Sequence, residues 1–235
     1  MKNRAACACL LWAAGLFCHT STLAAIPVQQ WTQPGGARVY LVESPAIAMV
    51  DMQLDLDAGS RRVPADQAGL AGAAAALFSK GVAARGTAPA LDENALGEAW
   101  ADLGASFGAS AGSDRFSFSL RSLTDPELLN QAVALAARQI AEPSFPADVW
   151  QRDRQRLQAQ LKESYTRPGS VASRAYAKAV YGGHPYGHDV TPATLDRISV
   201  ADMKAFHATW FTPCNARVSV VGAVTRAQAD VLVTT

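Results

Sequence analysis

The chain has 235 residues, 49% of them hydrophobic and 17% charged, with 21 basic and 20 acidic side chains and a formal charge of +1. That is enough apolar material for one ordinary globular domain with a sizeable core. With the two charge signs balanced and no basic stripe, the composition excludes the electrostatic footprint of a nucleic-acid or anionic-membrane binder.

Lys2 and Arg4 precede an apolar run from Ala5 to Phe17, and Thr20-Ser-Thr-Leu-Ala-Ala25 follows. A charged start, a short apolar stretch and a small-residue end predict a secretory signal peptide over residues 1–25, cleaved after Ala24 or Ala25. The run is too short to span a bilayer comfortably. Leu16 and Phe17 are poor stand-ins for the small residues that precede a lipidated cysteine, so Cys18 is not read as an anchor. The expected product is periplasmic or secreted, with no membrane span in the mature chain. Cleavage removes Lys2, Arg4 and no acidic residue, which brings the basic count from 21 to 19 against 20 acidic. Cys7, Cys9 and Cys18 leave as well. Cys214 then has no internal disulfide partner, and it is expected as a small buried hydrophobe rather than a nucleophile.

Arg38-Val-Tyr-Leu-Val-Glu43 reads as a strand. Val50, Met52, Leu54 and Leu56 alternate with a face carrying Asp51, Gln53 and Asp55, the pattern of a half-solvated strand, and the two are expected to pair antiparallel. Asp57-Ala-Gly-Ser60 breaks the strand, and an alanine-rich helix is expected from about Asp66. Leu91, Ala95, Leu96, Ala99 and Leu103 make a helical stripe. The small residues from Gly104 to Gly112 and the apolar Phe116, Phe118 and Leu120 predict a hairpin turning near Ser113-Asp114. Asp125-Pro126 opens a helix through Ile140. A charged helix runs from Ala147 to Tyr165, and Pro168 opens another through Ala179. Gly182 to His188 must be a loop, given its glycines and Pro185. Ser199 caps a helix to Trp210, Arg217 to Gly222 is a strand, and Thr225 begins a last helix. Strand pairs, then helices, then a returning strand predict an α+β domain: two layers, with a mainly antiparallel sheet packed against helices.

The organising stretch is Ala68-Gly-Leu-Ala-Gly-Ala-Ala-Ala-Ala-Leu-Phe-Ser-Lys-Gly81. Four consecutive alanines amid Leu70, Leu77 and Phe78 read as a buried helix. The frame Gly69-Leu-Ala71…Leu77-Phe78-x-Lys80-Gly81 resembles the zinc-site helix of the pitrilysin/insulinase metallopeptidases, which carry His-x-x-Glu-His inside it. Arg61, Tyr181-Gly-Gly-His-Pro-Tyr-Gly187 and Phe211-Thr-Pro-Cys-Asn-Ala216 leading into Val218 to Gly222 extend the resemblance over nearly all of residues 26–235. It implies the family's metallopeptidase-like, processing-peptidase type of domain, present once in this chain and incomplete at its C-terminus.

Inside that frame the three chemical positions are Gly72, Ala75 and Ala76. Positions i, i+3 and i+4 share one helix face, on which the family's two histidines bind zinc and its glutamate activates a metal-bound water. Glycine and alanine offer no nitrogen, oxygen or thiolate for either task. The family's third ligand is a glutamate on a later helix, and counting back from Pro168 puts Gln160 nearest that slot. Glu163 is the one carboxylate between Gln160 and Pro168, and it reads as part of a solvated helix face.

Other candidates have bland readings that suit them better. His184 and His188 have a metal-ligand spacing of four, but Pro185 and the glycines put them on a loop. His207, beside Phe206 and Trp210, reads as a packed or surface histidine. Ser60, Ser79 and Ser173 lack a Gly-x-Ser-x-Gly elbow. Gly104 to Gly112 lacks the Lys-Ser/Thr ending of a phosphate loop and suits a strand pressed closely on a helix.

No catalytic residue and no metal ligand is therefore assigned, binding residues stay open, and zinc is a cofactor of the active relatives only. The resemblance implies an exported, non-catalytic homologue acting as subunit or peptide-binding partner of an active zinc peptidase, with peptides as the substrate class. The rival reading is an active zinc endopeptidase with relocated ligands, drawn from His184, His188, His207 and Glu163. A third is a truncated gene product without a function of its own.

Overall fold

A computed structural model of the chain describes residues 26–235. The expected leader and its cleavage sites lie outside the described residues. The strands are β1 (Gln29–Thr32), β2 (Arg38–Glu43), β3 (Met49–Leu56), β4 (Gly81–Val82), β5 (Leu91–Asp92), β6 (Ser106–Ala111), β7 (Phe116–Leu123) and β8 (Ala216–Gly222). The helices are α1 (Leu70–Leu77), α2 (Glu93–Asp102), α3 (Pro126–Ala141), α4 (Ala147–Ser164), α5 (Pro168–Tyr181), α6 (Pro192–Asp196), α7 (Val200–Trp210) and α8 (Arg226–Thr234).

Six strands form one sheet in the order β1-β2-β8-β3-β7-β6, with β4 and β5 a separate ribbon. β8 runs parallel to β2, and every other pairing in the large sheet is antiparallel. β2 and β3 are therefore not the bonded pair that their order in the chain suggests. The later strand β8 lies between them, taking Val39 against Val218 on one side and Leu54 against Val218 on the other. Ala216, Val218, Val220 and Gly222, buried at every second position, make it suited to a central place.

Period-two alternation sorts the sheet into two faces. Val39, Leu41, Val50, Leu56, Phe116, Phe118, Leu120, Val218 and Val220 point inward and are buried. The opposite face carries Arg38, Asp51, Gln53, Ser119, Arg121, Arg217 and Ser219, all exposed. The helices cover the inner face, giving the expected two-layer α+β arrangement. Side-chain caps fix the starts of several of them. Asp125 Oδ1 accepts from the Glu127 and Leu128 N–H groups at α3, and Ser199 and Thr225 form capping boxes at α7 and α8.

Phe78, at the end of α1, holds this core together. Its ring meets those of Phe116, Phe118, Phe145 and Phe211 with centroids 4.8–5.8 Å apart, so β7, the α3–α4 link and the α7–β8 link converge on one side chain. Phe145 takes a left-handed φ of 45° to join them, a conformation that its burial over-determines. Elsewhere the backbone itself is the close neighbour. A Cβ on Gly59 would lie 2.3 Å from the Ser113 carbonyl oxygen and 2.5 Å from the Arg115 nitrogen, because the β6–β7 turn rests on this residue.

That contact makes a prediction. Gly59→Ala must push two backbone segments apart and is expected to lose about 1–3 kcal/mol of stability by overpacking. Urea unfolding checks it; an unchanged midpoint would mean the turn yields freely.

Candidate functional site

α1 starts later than its composition suggests. Asp66 falls in a single 3₁₀ turn (Ala65–Gln67), and the α-helix begins at Leu70 because Gly69 takes a left-handed φ of 107°. A side chain at Gly69 would be strained there and would also press on Leu195 and Val190 at 3.0–3.1 Å. Both ends of α1 are tied to other elements. Thr194 Oγ1 donates to the Ala68 carbonyl at 2.8 Å, and the buried Gln139 amide donates to the Phe78 carbonyl at 2.7 Å. Gln139 also accepts from the Trp100 indole at 2.9 Å, so this buried amide has a partner at each end.

Six of the eight residues of α1 are buried: Leu70, Ala71, Ala73, Ala74, Ala75 and Leu77. Small side chains let the helix lie against β6, α4 and α7. Gly72 and Ala76, four apart, form a narrow exposed stripe, and a Cβ built on Gly72 meets nothing within 4 Å. The two positions where the resembling family has histidine are thus open to solvent. Only Ala75, 8% exposed, faces the packed interior. The residues present do not fit a zinc ion: this face contributes no donor atom.

The remaining candidates are not gathered around it. Gln160 is exposed on α4, and Glu163 is exposed and paired with Arg167 one turn on. His184 caps the Pro185–Gly187 turn, its Nδ1 accepting from the Tyr186 N–H at 3.2 Å. His188 is half-buried with its Nδ1 unpartnered. His207 packs on Phe78 and Phe211, with Nε2 2.7 Å from the Ile140 carbonyl oxygen, which makes it a packing residue. Ser79 Oγ donates to the Ala76 carbonyl, closing the turn. Gly104 to Gly112 contains β6, pressed on α1 as its small residues suggest. Among the described residues, no group of three or more His, Cys, Asp or Glu stands together in a way that would hold a metal ion. Cys214 differs from expectation. It is exposed, because the Pro213–Asn215 turn carries it outward over Gly35 and Gly36.

Sequence reading left one cluster unexplained. Arg61 and Arg62 both bind the Asp57 carboxylate, and Arg61 Nε lies 3.0 Å from Asp114 Oδ1 in the β6–β7 turn. The Tyr186 hydroxyl donates to the same Asp114 oxygen at 2.6 Å. Arg62 also stacks over Trp210. Arg61 and the His-Pro-Tyr-Gly loop, two separated parts of the resemblance, therefore meet through one aspartate. The Arg62 hydrogen bond, opposed by burial and assisted by the charge of Arg61, holds the Asp57 carboxyl below its ordinary range. The Asp114 carboxylate, followed by burial, raises the Tyr186 phenol above its own.

Comparison with known proteins fits this geometry. The family model described as "Insulinase (Peptidase family M16)" matches residues 38–193. A crystal structure described as a peptidase M16 inactive domain from Pseudomonas fluorescens is 32% identical, with a TM-score of 0.81 over 88% of this chain and 49% of its own. A protease from Helicobacter pylori is 20% identical, with a TM-score of 0.74 over 88% of this chain and 49% of its own. The periplasmic protease PqqL from Escherichia coli is 17% identical, with a TM-score of 0.72 over 90% of this chain and 24% of its own. The last two likenesses concern the fold alone. No curated protein matches. The chain spans about half the length of the first two structures.

Two predictions follow from the site. Gly72→Ala is expected to stabilise by about 0.5–1 kcal/mol, since it removes glycine from an exposed helical position with room to spare. A lower unfolding midpoint would show that the stripe is already in contact with something. The second concerns pH. Asp57 has a depressed folded pKa, so its contribution is fully present above the unfolded value near 4 and is lost as pH falls through the folded value. Acid unfolding of Asp57→Asn should accordingly be less steep than wild type below about pH 4; identical profiles would exclude the coupling.

Proposed function

The chain belongs to the insulinase family, peptidase family M16, and from that premise we propose that it is a non-catalytic member serving an active zinc peptidase as its partner subunit. The observation that carries this reading is the exposed stripe of α1. The helix that resembles the presenter of His-x-x-Glu-His is seated and buried, while the residues it presents are Gly72 and Ala76, with Ala75 behind them. A chain selected for cleavage would keep the ligands before the frame. The Pseudomonas fluorescens relative, described as an inactive domain, supports the same reading at 32% identity.

What remains is a surface for peptide. β6 is an edge strand of the sheet, and α1 lies beside it. An edge strand offers unpaired N–H and C=O groups to an extended segment, which gives affinity without chemistry. In this role the chain holds a peptide, or completes an enclosure, while a subunit with the intact motif cuts. The leader expected over residues 1–25 supports export, with the partnership in the periplasm or outside the cell; among the described residues no helix is long and apolar enough to cross a membrane.

The test uses the exported chain and an M16 peptidase from the same genome that keeps His-x-x-Glu-His. Alone and dialysed, the chain should hold no stoichiometric zinc by elemental analysis and should leave an unstructured peptide intact. Mixed with the peptidase, it should form a complex by size-exclusion chromatography and raise peptide cleavage. About one zinc per chain, or cleavage by the chain alone, would establish an active enzyme instead. Absence of a complex would remove the partner role.

A further inference from the structure

The exposed face of the sheet ends, beside the Arg61 cluster, in a cleft of about 380 Å³. Arg38 of β2 and Arg217 of β8 line it as direct register partners on adjacent parallel strands. Both are exposed, and among the described residues neither has a carboxylate within ion-pair distance. Like charges side by side on neighbouring strands repel, and no carboxylate among the described residues closes an ion pair with either arginine. The nearby carboxylates are committed elsewhere. Asp55, the register partner of Arg217 on β3, accepts from the Ser117 hydroxyl at 2.6 Å and lies 3.5 Å from Arg115. Asp57 is held by Arg61 and Arg62, and Asp114 by Arg61 and Tyr186.

We infer that this cleft binds a carboxylate, with Arg38 and Arg217 as its two guanidinium donors. Two guanidiniums carried by register partners on adjacent strands and lining one cleft suit a two-oxygen acceptor. The lining carries four arginines and three aspartates, an excess of one positive charge. That excess is satisfied by a group carrying one charge, whereas the larger charge of a phosphate, about −1.5 to −2, is penalised more by the nearby Asp55. The carboxylate is that of an acidic peptide, an identification that rests on the peptide-binding role; the site itself does not. Cys214, exposed at the rim, is a reporter and not a ligand.

The reporter gives the experiment. The full exported chain is labelled with an anionic reagent (2-sulfonatoethyl methanethiosulfonate) or its cationic counterpart (2-trimethylammonioethyl methanethiosulfonate), and the peptide carrying Cys214 is quantified by mass spectrometry. In each case the thiolate attacks the sulfenyl sulfur, a disulfide forms and methanesulfinate leaves. Relative to free cysteine, the anionic reagent should react about tenfold faster than the cationic one, an effect that salt suppresses. Arg38→Gln with Arg217→Gln, both at exposed positions, leaves two arginines against three aspartates in the lining and should abolish or reverse the preference. Acetyl-Gly-Glu-Glu-Gly-amide should slow the labelling, and the Gln-Gln counterpart or inorganic phosphate should not.

A wild-type chain without charge preference, a reversed one, or equal protection by phosphate or by the Gln-Gln peptide would overturn the inference. Anisotropy of fluorescent versions of both peptides separates the two readings. A chain that binds them equally sinks this site and leaves the peptide-facing role standing, while a chain that binds neither sinks both.

Discussion

How closely α1 can lie on the sheet sets the rest of the structure. Alanine at positions 71, 73, 74 and 75 brings the helix down on β6, α4 and α7, and Leu70, Leu77 and Phe78 close the ends of that contact. The aromatic cluster gathers around Phe78 because the helix delivers it there, against β7 and the two links that carry Phe145 and Phe211. Buried interiors tolerate neither gaps nor excess volume, so a helix seated this way specifies its neighbours' side chains as firmly as they specify its own. Gly69 and Gly81 bracket α1 and its closing turn for the same reason. At Gly81 a Cβ would come within 2.8 Å of the Leu91 carbonyl oxygen, where the short β4–β5 ribbon crosses.

The stripe that once would have carried chemistry plays no part in that seating. Gly72 and Ala76 face solvent, so exchanging histidine for glycine and alanine there removes donor atoms and leaves the packing alone. Only position 75 joins the two roles, since a glutamate would have to enter a site now 8% exposed. Fold and chemistry are separable here at the level of single residues, since the exposed positions do not carry the packing. Arg61, Gly69 and the His-Pro-Tyr-Gly loop, other parts of the resemblance, carry backbone turns and one shared polar cluster.

Much of this was legible from local pattern. The strand pattern of Arg38–Glu43, the acid-faced strand through Leu56, the Asp125-Pro126 helix start and the Ser199 and Thr225 caps appear where their sequences put them. What pattern could not supply was long-range order. β8 enters between β2 and β3 from more than 150 residues away, and no local signal in Arg38–Leu56 announces it. The short elements escaped for a different reason: β1, β4 and β5 have two to four residues each, too few for a period. Thr191-Pro-Ala-Thr194, a capping box before α6, is a helix-start signal readable in the sequence. Cys214 was misplaced because composition favours burying a lone cysteine, while the adjacent Pro213 and Asn215 build a turn that holds it outside.

The central claim is that the scaffold is intact and only its ligands are missing. Grafting tests it most directly: Gly72→His with Ala75→Glu and Ala76→His, alone and with Gln160→Glu added, compared for zinc affinity and for cleavage of an unstructured peptide. The histidines should be accepted readily at their exposed positions, with the stability loss falling on the buried glutamate. The triple variant should bind zinc weakly and cleave little, because two imidazoles on one turn make an unfinished site, and the added glutamate should tighten the metal. Robust cleavage by the triple variant would contradict the account, since it would mean that a third ligand already stands in place.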